Sequence, residues 1–191
     1  MSQPSSIVPG VLQRLRTETR PYHEALERNQ FNHDLTAGTL TLETTTRFLA
    51  KMYGFLKPYE DHLRQYALPP VWQPEHRYRS HLILVDLGVE PGPAAPPLCA
   101  ALPPLDTWPR LLGAMYVLEG STLGGQVIAR QLAKADIAPR AYFTGYAERT
   151  GPLWKLFCQQ LGAAATPENE DELVASASST FQHLENWLTK A

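Results

Sequence analysis

Cysteine is nearly absent from this chain. Its two copies, Cys99 and Cys158, lie far apart and outside any CxxC spacing, which fits a reducing cytosol better than a disulfide framework. Long hydrophobic runs are missing too. The longest near-continuous apolar stretch, 111–118, falls far short of the ~20 residues that span a bilayer. The opening MSQPSSIVPG has no basic segment leading into an apolar run, so no signal peptide is expected. Nor is there an excess of positive charge. With 17 Lys and Arg against 19 Asp and Glu, the net charge is −2, which argues against a nucleic-acid surface. What the 191 residues do hold is 43% hydrophobic and 19% charged side chains, ordinary for a globular protein and enough to bury a core without metal or disulfide staples. The expectation is one cytoplasmic, soluble domain.

Apolar residues recur at helical spacing nearly everywhere. Leu12, Leu15, Tyr22 and Leu26, with Thr19 at the missing position, place one stripe toward a core. Pro21 is expected to kink or break that helix. A second helix is predicted over 41–66, with Phe48, Leu49, Met52, Phe55, Leu56, Tyr59 and Leu63 inward and a bend at Pro58. The segment 78–87 contains HLILVDL, which could pass for a strand. It reads as a short helix because no other strand signal exists to pair with it. Over 90–108 the composition turns to Pro, Gly and Ala (EPGPAAPP, ALPPL), a loop joining two helices. Asp106 or Thr107 then caps a helix with Pro109 in its first turn, running to about 134. A loop with Pro139 and Gly145 follows, then helices over 152–161 and 167–188. There are no repeats. The expected architecture is a single all-α domain over 1–191, with residues 1–10 as an N-terminal tail.

Two constellations carry chemistry. Arg16, Arg20, His23 and Glu27 follow one another at steps of four, three and four and line one helix face. A carboxylate at i+4 can take one ring N–H of His23, fixing the tautomer and leaving the other nitrogen for a metal. Arg16 lies roughly 10 Å away along the axis. The same spacing describes a surface His–Glu pair, and spacing alone favours that plainer reading. The second constellation is EGSTLGGQVI, with Gly120, Gly124 and Gly125 inside a helix, each costing about 1 kcal/mol relative to alanine. Bare backbone there would let a flat object approach, or would serve close helix packing, or would allow a kink. Glu119, Gln126 and Arg130 rule out a membrane GxxxG context.

Taken together, LRTETRPYHEALE and YVLEGSTLGGQVI resemble the proximal and distal helices of the heme oxygenase family, in the right order and about a hundred residues apart. The second motif is most similar in form to bacterial members that supply chromophore to bacteriophytochromes. The resemblance covers about 11–188. It implies an all-α bundle with haem sandwiched between the two helices, His23 as axial ligand of the iron, and Glu27 as its partner. It also implies Arg16 near the haem propionates and Gly120, Gly124 and Gly125 against the haem face. Lys155 in GPLWKLF falls where the family often places a second propionate-binding cation, though an exposed surface lysine reads equally well there. Tyr53 and Phe181 resemble pocket aromatics, and core packing explains them nearly as well. The implied reaction uses haem as cofactor and substrate, with O2 and an external electron donor, and yields biliverdin, carbon monoxide and ferrous iron.

The chain departs from the family at one important place. Animal-type members carry a distal aspartate where Ser121 stands here, and a hydroxyl holds water more weakly than a carboxylate. Met115 and Val117 also lack the polar groups of the animal enzymes. Ser121 with water, flanked by Gly120 and Gly124, is therefore the expected catalytic group on the distal side. A non-enzymatic haem carrier or sensor on the same fold remains the alternative, and a cofactor-free helical scaffold a further one. The other histidines, His33, His62, His76, His81 and His183, are read as surface or satisfied core residues.

Overall fold

A computed structural model describes residues 10–189, so the expected tail, but for Gly10, lies outside the described residues. The N-terminal stripe folds as two short helices in near continuity, α1 (Gly10–Glu18) and α2 (Arg20–Leu26), broken at Thr19. Pro21 supplies the break by removing a backbone donor. Thr19 repairs it: its N–H and its hydroxyl both donate to the Leu15 carbonyl, at 3.0 and 2.6 Å.

A short helix follows that the apolar pattern did not signal, α3 (Gln30–Ala37), which buries only Phe31. It is defined by its ends instead. Asn29 caps it by accepting from Asn32 N at 3.0 Å, and Gly38 closes it in a left-handed conformation. α4 (Leu42–Gln65) opens with a reciprocal capping box between Thr41 and Thr44 and absorbs Pro58 in its interior. Two 3-10 turns, Pro70–Trp72 and Pro74–His76, lead to α5 (Ser80–Leu87). The HLILVDL segment is thus helical and stops at Gly88.

After the proline-rich loop, Thr107 caps α6 (Trp108–Lys134) by accepting from Arg110 N at 3.3 Å. The expected loop after it contains one turn of helix, α7 (Ala141–Thr144), and a 3-10 turn, Ala147–Arg149. The chain ends with α8 (Thr150–Ala164) and α9 (Glu170–Thr189). The described residues form no strand, and none of their helices is long and apolar enough to cross a membrane. α6 and α9 pack together most extensively. Gly113 makes this possible, since a side chain there would strike the Leu173 carbonyl and the Ala177 backbone. α1 and α2 lie on the same α9. α9 therefore forms a floor, with the α1–α2 pair and α6 rising from it as opposite walls.

The interior also holds charge. The Glu60 carboxylate of α4 accepts from Arg79 N, Ser80 N and the Ser80 hydroxyl, at 2.5, 2.9 and 2.5 Å, and so caps α5 from another helix. Arg77 pairs with Glu119 of α6 at 2.8 Å, their side chains 2% and 5% exposed. The Tyr146 hydroxyl donates to Glu119 at about 3.1 Å. Arg79 donates to the Leu118 carbonyl at 2.8 Å. This network lies directly behind the middle of α6.

Candidate functional site

Between the two walls lies a cavity of about 470 Å3, within the range of small-molecule sites. Its first wall is Arg16, Thr19, Arg20, His23 and Leu26 of the α1–α2 pair. Opposite stand Tyr116, Val117, Gly120, Ser121 and Leu123 of α6, with Trp154 of α8 at one end and Phe181 and Leu184 of α9 on the floor. The slot is largely apolar, and its cations and its imidazole all come from one side.

His23 is more than half exposed and stands edge-on to the Phe181 ring, centroids 5.5 Å apart at 79°. Its Nδ1 lies 3.6 Å from a Glu27 carboxylate oxygen. That is a favourable charge contact but too long for a hydrogen bond. With Nδ1 turned to Glu27, Nε2 is left for a ligand. Among the described residues no carboxylate pairs with Arg16, whereas Arg14 and Arg20 are held by Glu18 and Glu24 at 2.8 and 2.7 Å. A free guanidinium at the rim suits an incoming carboxylate.

The three glycines have three different surroundings. Gly120 faces the slot, where an added Cβ would stand 3.5 Å from the Trp154 ring. Gly124 is exposed, meets nothing within 4 Å, and is not among the residues lining the cavity. Gly125 turns to the other side of α6, and a Cβ there would come 2.7 Å from the Phe143 carbonyl of α7. Its placement is that of close helix packing. Gly125→Ala is expected to push α7 off α6 and cost about 1–3 kcal/mol, read as a lowered urea midpoint with haem affinity little changed.

Other expected site residues lie off the slot. Tyr53 is buried in the core on α4, and Lys155 is exposed on α8, one residue from the lining Trp154. Sequence spacing did not single out Trp154 or Tyr116, whose rings meet at 5.6 Å. Both sit in apolar helical runs that read as core. They also border a second cavity that holds Cys158. Burial pushes that thiol up to about 11, against the pull of Arg16. At neutral pH its thiolate fraction is then about a hundredfold below that of an ordinary cysteine. Alkylation by iodoacetamide is expected to be correspondingly slow until the chain unfolds. The remaining histidines lie outside the cavity lining; His62 meets the Leu105 carbonyl at 3.0 Å and His183 the Ser179 carbonyl at 2.8 Å.

The all-helical fold itself has known representatives. The fold matches heme oxygenase from Leptospira interrogans, with a TM-score of 0.77 over 95% of this chain and 99% of that one, at 18% identity. It also matches the NO- and CO-bound heme oxygenase from Neisseria meningitidis, with a TM-score of 0.74 over 93% and 89% of the two chains, at 24% identity. The family model described as Heme oxygenase matches residues 10–87. A heme oxygenase of Xanthomonas campestris pv. campestris (strain 8004) is 30% identical over 162 residues, covering 79% of this chain and 92% of that relative. The chain belongs to the heme oxygenase family, whose enzymes degrade haem.

Proposed function

We propose that this chain binds haem in the α2–α6 slot and opens it to biliverdin, carbon monoxide and ferrous iron, using O2 and an external electron donor. The observation that carries this is the opposition of His23 to Gly120 and Ser121 across one apolar cavity. The donor set fits the group: one imidazole for iron, one unpaired guanidinium for a propionate, and a glycine wall where a side chain would obstruct a macrocycle. When bound, haem supplies the oxygen chemistry and is itself consumed.

The protein's contribution is then binding, orientation and exclusion of water. His23 Nε2 would hold the iron, and the edge contact with Phe181 orients the imidazole for it. Arg16 would pair with a propionate and so orient the macrocycle in the slot. Gly120 and Val117 line the opposite wall and would restrict where a small ligand could tilt there. Ser121 is the polar side chain of that wall, and its hydroxyl would donate into the slot only by turning away from the Leu118 carbonyl. The form of the EGSTLGGQVI motif supports delivery of the bilin to a bacteriophytochrome.

The test is reconstitution with haemin, followed by reductant and oxygen, with the bilin isomer identified by chromatography. The expected result is loss of the Soret band with stoichiometric bilin. A stable Soret band without bilin would favour a haem carrier instead. One observation keeps that second reading open: the Ser121 hydroxyl donates to the Leu118 carbonyl at 2.7 Å, back into its own helix and not into the slot.

A further inference from the structure

Three of the four tryptophans lie on one line of neighbouring rings that leads out of the slot. Tyr116 and Trp154 line the slot, and their rings meet at 5.6 Å. Trp154 stacks on Phe157 of the same helix at 5.6 Å and 24°. Phe157 meets Trp72 of the first 3-10 turn at 5.9 Å, and Trp72 stands edge-on to Trp108 at 5.4 Å. Trp108 opens α6 and, with Trp72, lines a separate surface cavity of about 440 Å3. Phe157 is fully buried and Trp72 is 4% exposed, so the middle of the line is dry and fixed.

Such a line has a chemical use. Indole and phenol rings give up an electron far more readily than a benzene ring, so the tryptophans can serve as stations while Phe157 only bridges them. The Arg77 guanidinium over Phe157, at 5.3 Å, further disfavours positive charge on that ring. Buried Trp72 is a poor place for a positive charge to rest, because an unpaired charge is costly away from water. Trp108 is half-buried and can lose its indole proton to water, so the charge runs outward. Two other donors beside the line are held back. The Tyr66 hydroxyl, in the cavity with Trp108, donates at 2.6 Å to the Leu105 carbonyl, a base too weak to take its proton. Cys158, which shares the second cavity with Trp154, is kept as the thiol by burial, and the thiolate is the reactive form.

Resting on the haem reading of this slot, we infer that Tyr116, Trp154, Trp72 and Trp108 form a charge-transfer line that carries oxidising equivalents from the slot to the surface, ending at Trp108. A peroxide RO–OH reduced in the loaded slot loses its O–O bond, takes up two electrons and two protons, and leaves as ROH and water. The electrons come from Trp108 by way of Trp72 and Trp154. Water adds to the oxidised indole, so one ring C–H becomes C–OH and two protons are released. Peroxide that misses the macrocycle is thereby reduced at the cost of a surface ring, and His23 and Phe181 are spared.

The test mixes haem-loaded protein with meta-chloroperbenzoic acid in heavy-oxygen water, without dioxygen, and maps the label by peptide mass spectrometry. The label is expected to concentrate on Trp108. Trp187 is the internal control, since it is also half-buried but lies off the line, with its indole N–H on the Lys51 carbonyl at 2.6 Å. Trp72→Phe should lose the Trp108 label and leave oxidation on Trp154 and Tyr116. Trp108→Phe, which serves if Trp72→Phe folds poorly, should stop the label at Trp72. Equal labelling of Trp108 and Trp187 would overturn the inference, as would a Trp108 label that survives Trp72→Phe or forms without haem. No label on Trp108 in the unaltered protein, or none on Trp72 in Trp108→Phe, would do the same. Failure of the unaltered protein to develop a Soret band with haemin would overturn the haem reading and this inference with it, and is seen before any peracid is added.

Discussion

On the haem reading proposed for the slot, His23→Ala is expected to remove the nitrogen that would hold the iron, and haem-degrading activity with it. Removing an outer partner of a metal ligand typically costs about 10–100-fold in affinity or activity, so removing the single nitrogen donor of the slot should cost more than that. The apolar walls and Arg16 remain, and some haem will still partition into the cavity. The discriminating readout is therefore the spectrum and not the amount bound. The variant should show a shifted, broadened Soret band that added imidazole restores, because the imidazole fills the space the side chain left. An unchanged spectrum would remove His23 as the ligand. Glu27→Gln should behave very differently. Its carboxylate lies 3.6 Å from the ring, and both side chains are more than half exposed. Exposed pairs of this kind are worth at most about 1 kcal/mol, so the expected loss is under roughly fivefold.

That contrast shows where the residues could be read from the sequence and where they could not. Periodicity and capping chemistry were enough to find α4, α6 and α9 and to place the break near Pro21, because long amphipathic helices repeat one signal many times. α3 and α7 were invisible for the opposite reason. Eight and four residues give the 3.6-residue period no room to declare itself, and both are fixed by capping contacts. In α7 the capping carboxylate is Asp86, 55 residues upstream of Ala141. The slot was half legible. His23, Arg16, Gly120 and Ser121 share it because two helix faces carried dense local patterns. Trp154 and Leu184 come from elements whose spacing says only that they are buried. Gly125 and Gly124 looked equivalent to Gly120 in sequence, yet Gly125 sits about 140° round the helix from Gly120, and Gly124, near the same face at i+4, lies one turn further on and outside the cavity lining. The charged network behind α6 gave no signal at all. Glu60, the neighbouring Arg77 and Arg79, Glu119 and Tyr146 come from four separate segments, and each reads alone as an ordinary surface residue.

That network carries the largest expected effect on stability. Arg77→Met removes the cation from a pair whose atoms lie 2.8 Å apart with side chains 2% and 5% exposed. It leaves the Glu119 carboxylate buried with only the Tyr146 hydroxyl to support it. Breaking a buried pair from one side costs about 3–5 kcal/mol, a large share of the ~5–15 kcal/mol that holds a domain together. The urea midpoint should fall accordingly with little change in slope. The double variant Arg77→Met/Glu119→Leu tests the cause. If the penalty is the stranded carboxylate and not lost packing around Arg77, removing the second charge should recover most of the stability. The residual deficit would be near the ~1 kcal/mol of the hydrogen bond Tyr146 loses. A double variant as unstable as the single would assign the loss to packing of the arginine stem against Phe157, over whose ring the guanidinium lies at 5.3 Å. The consequence reaches the slot in either case. Glu119 is the residue between Leu118 and Gly120, so freeing it from Arg77 loosens the turn of α6 that presents both the glycine wall and Ser121. The single variant should therefore show a heterogeneous haem spectrum even under conditions where it remains folded.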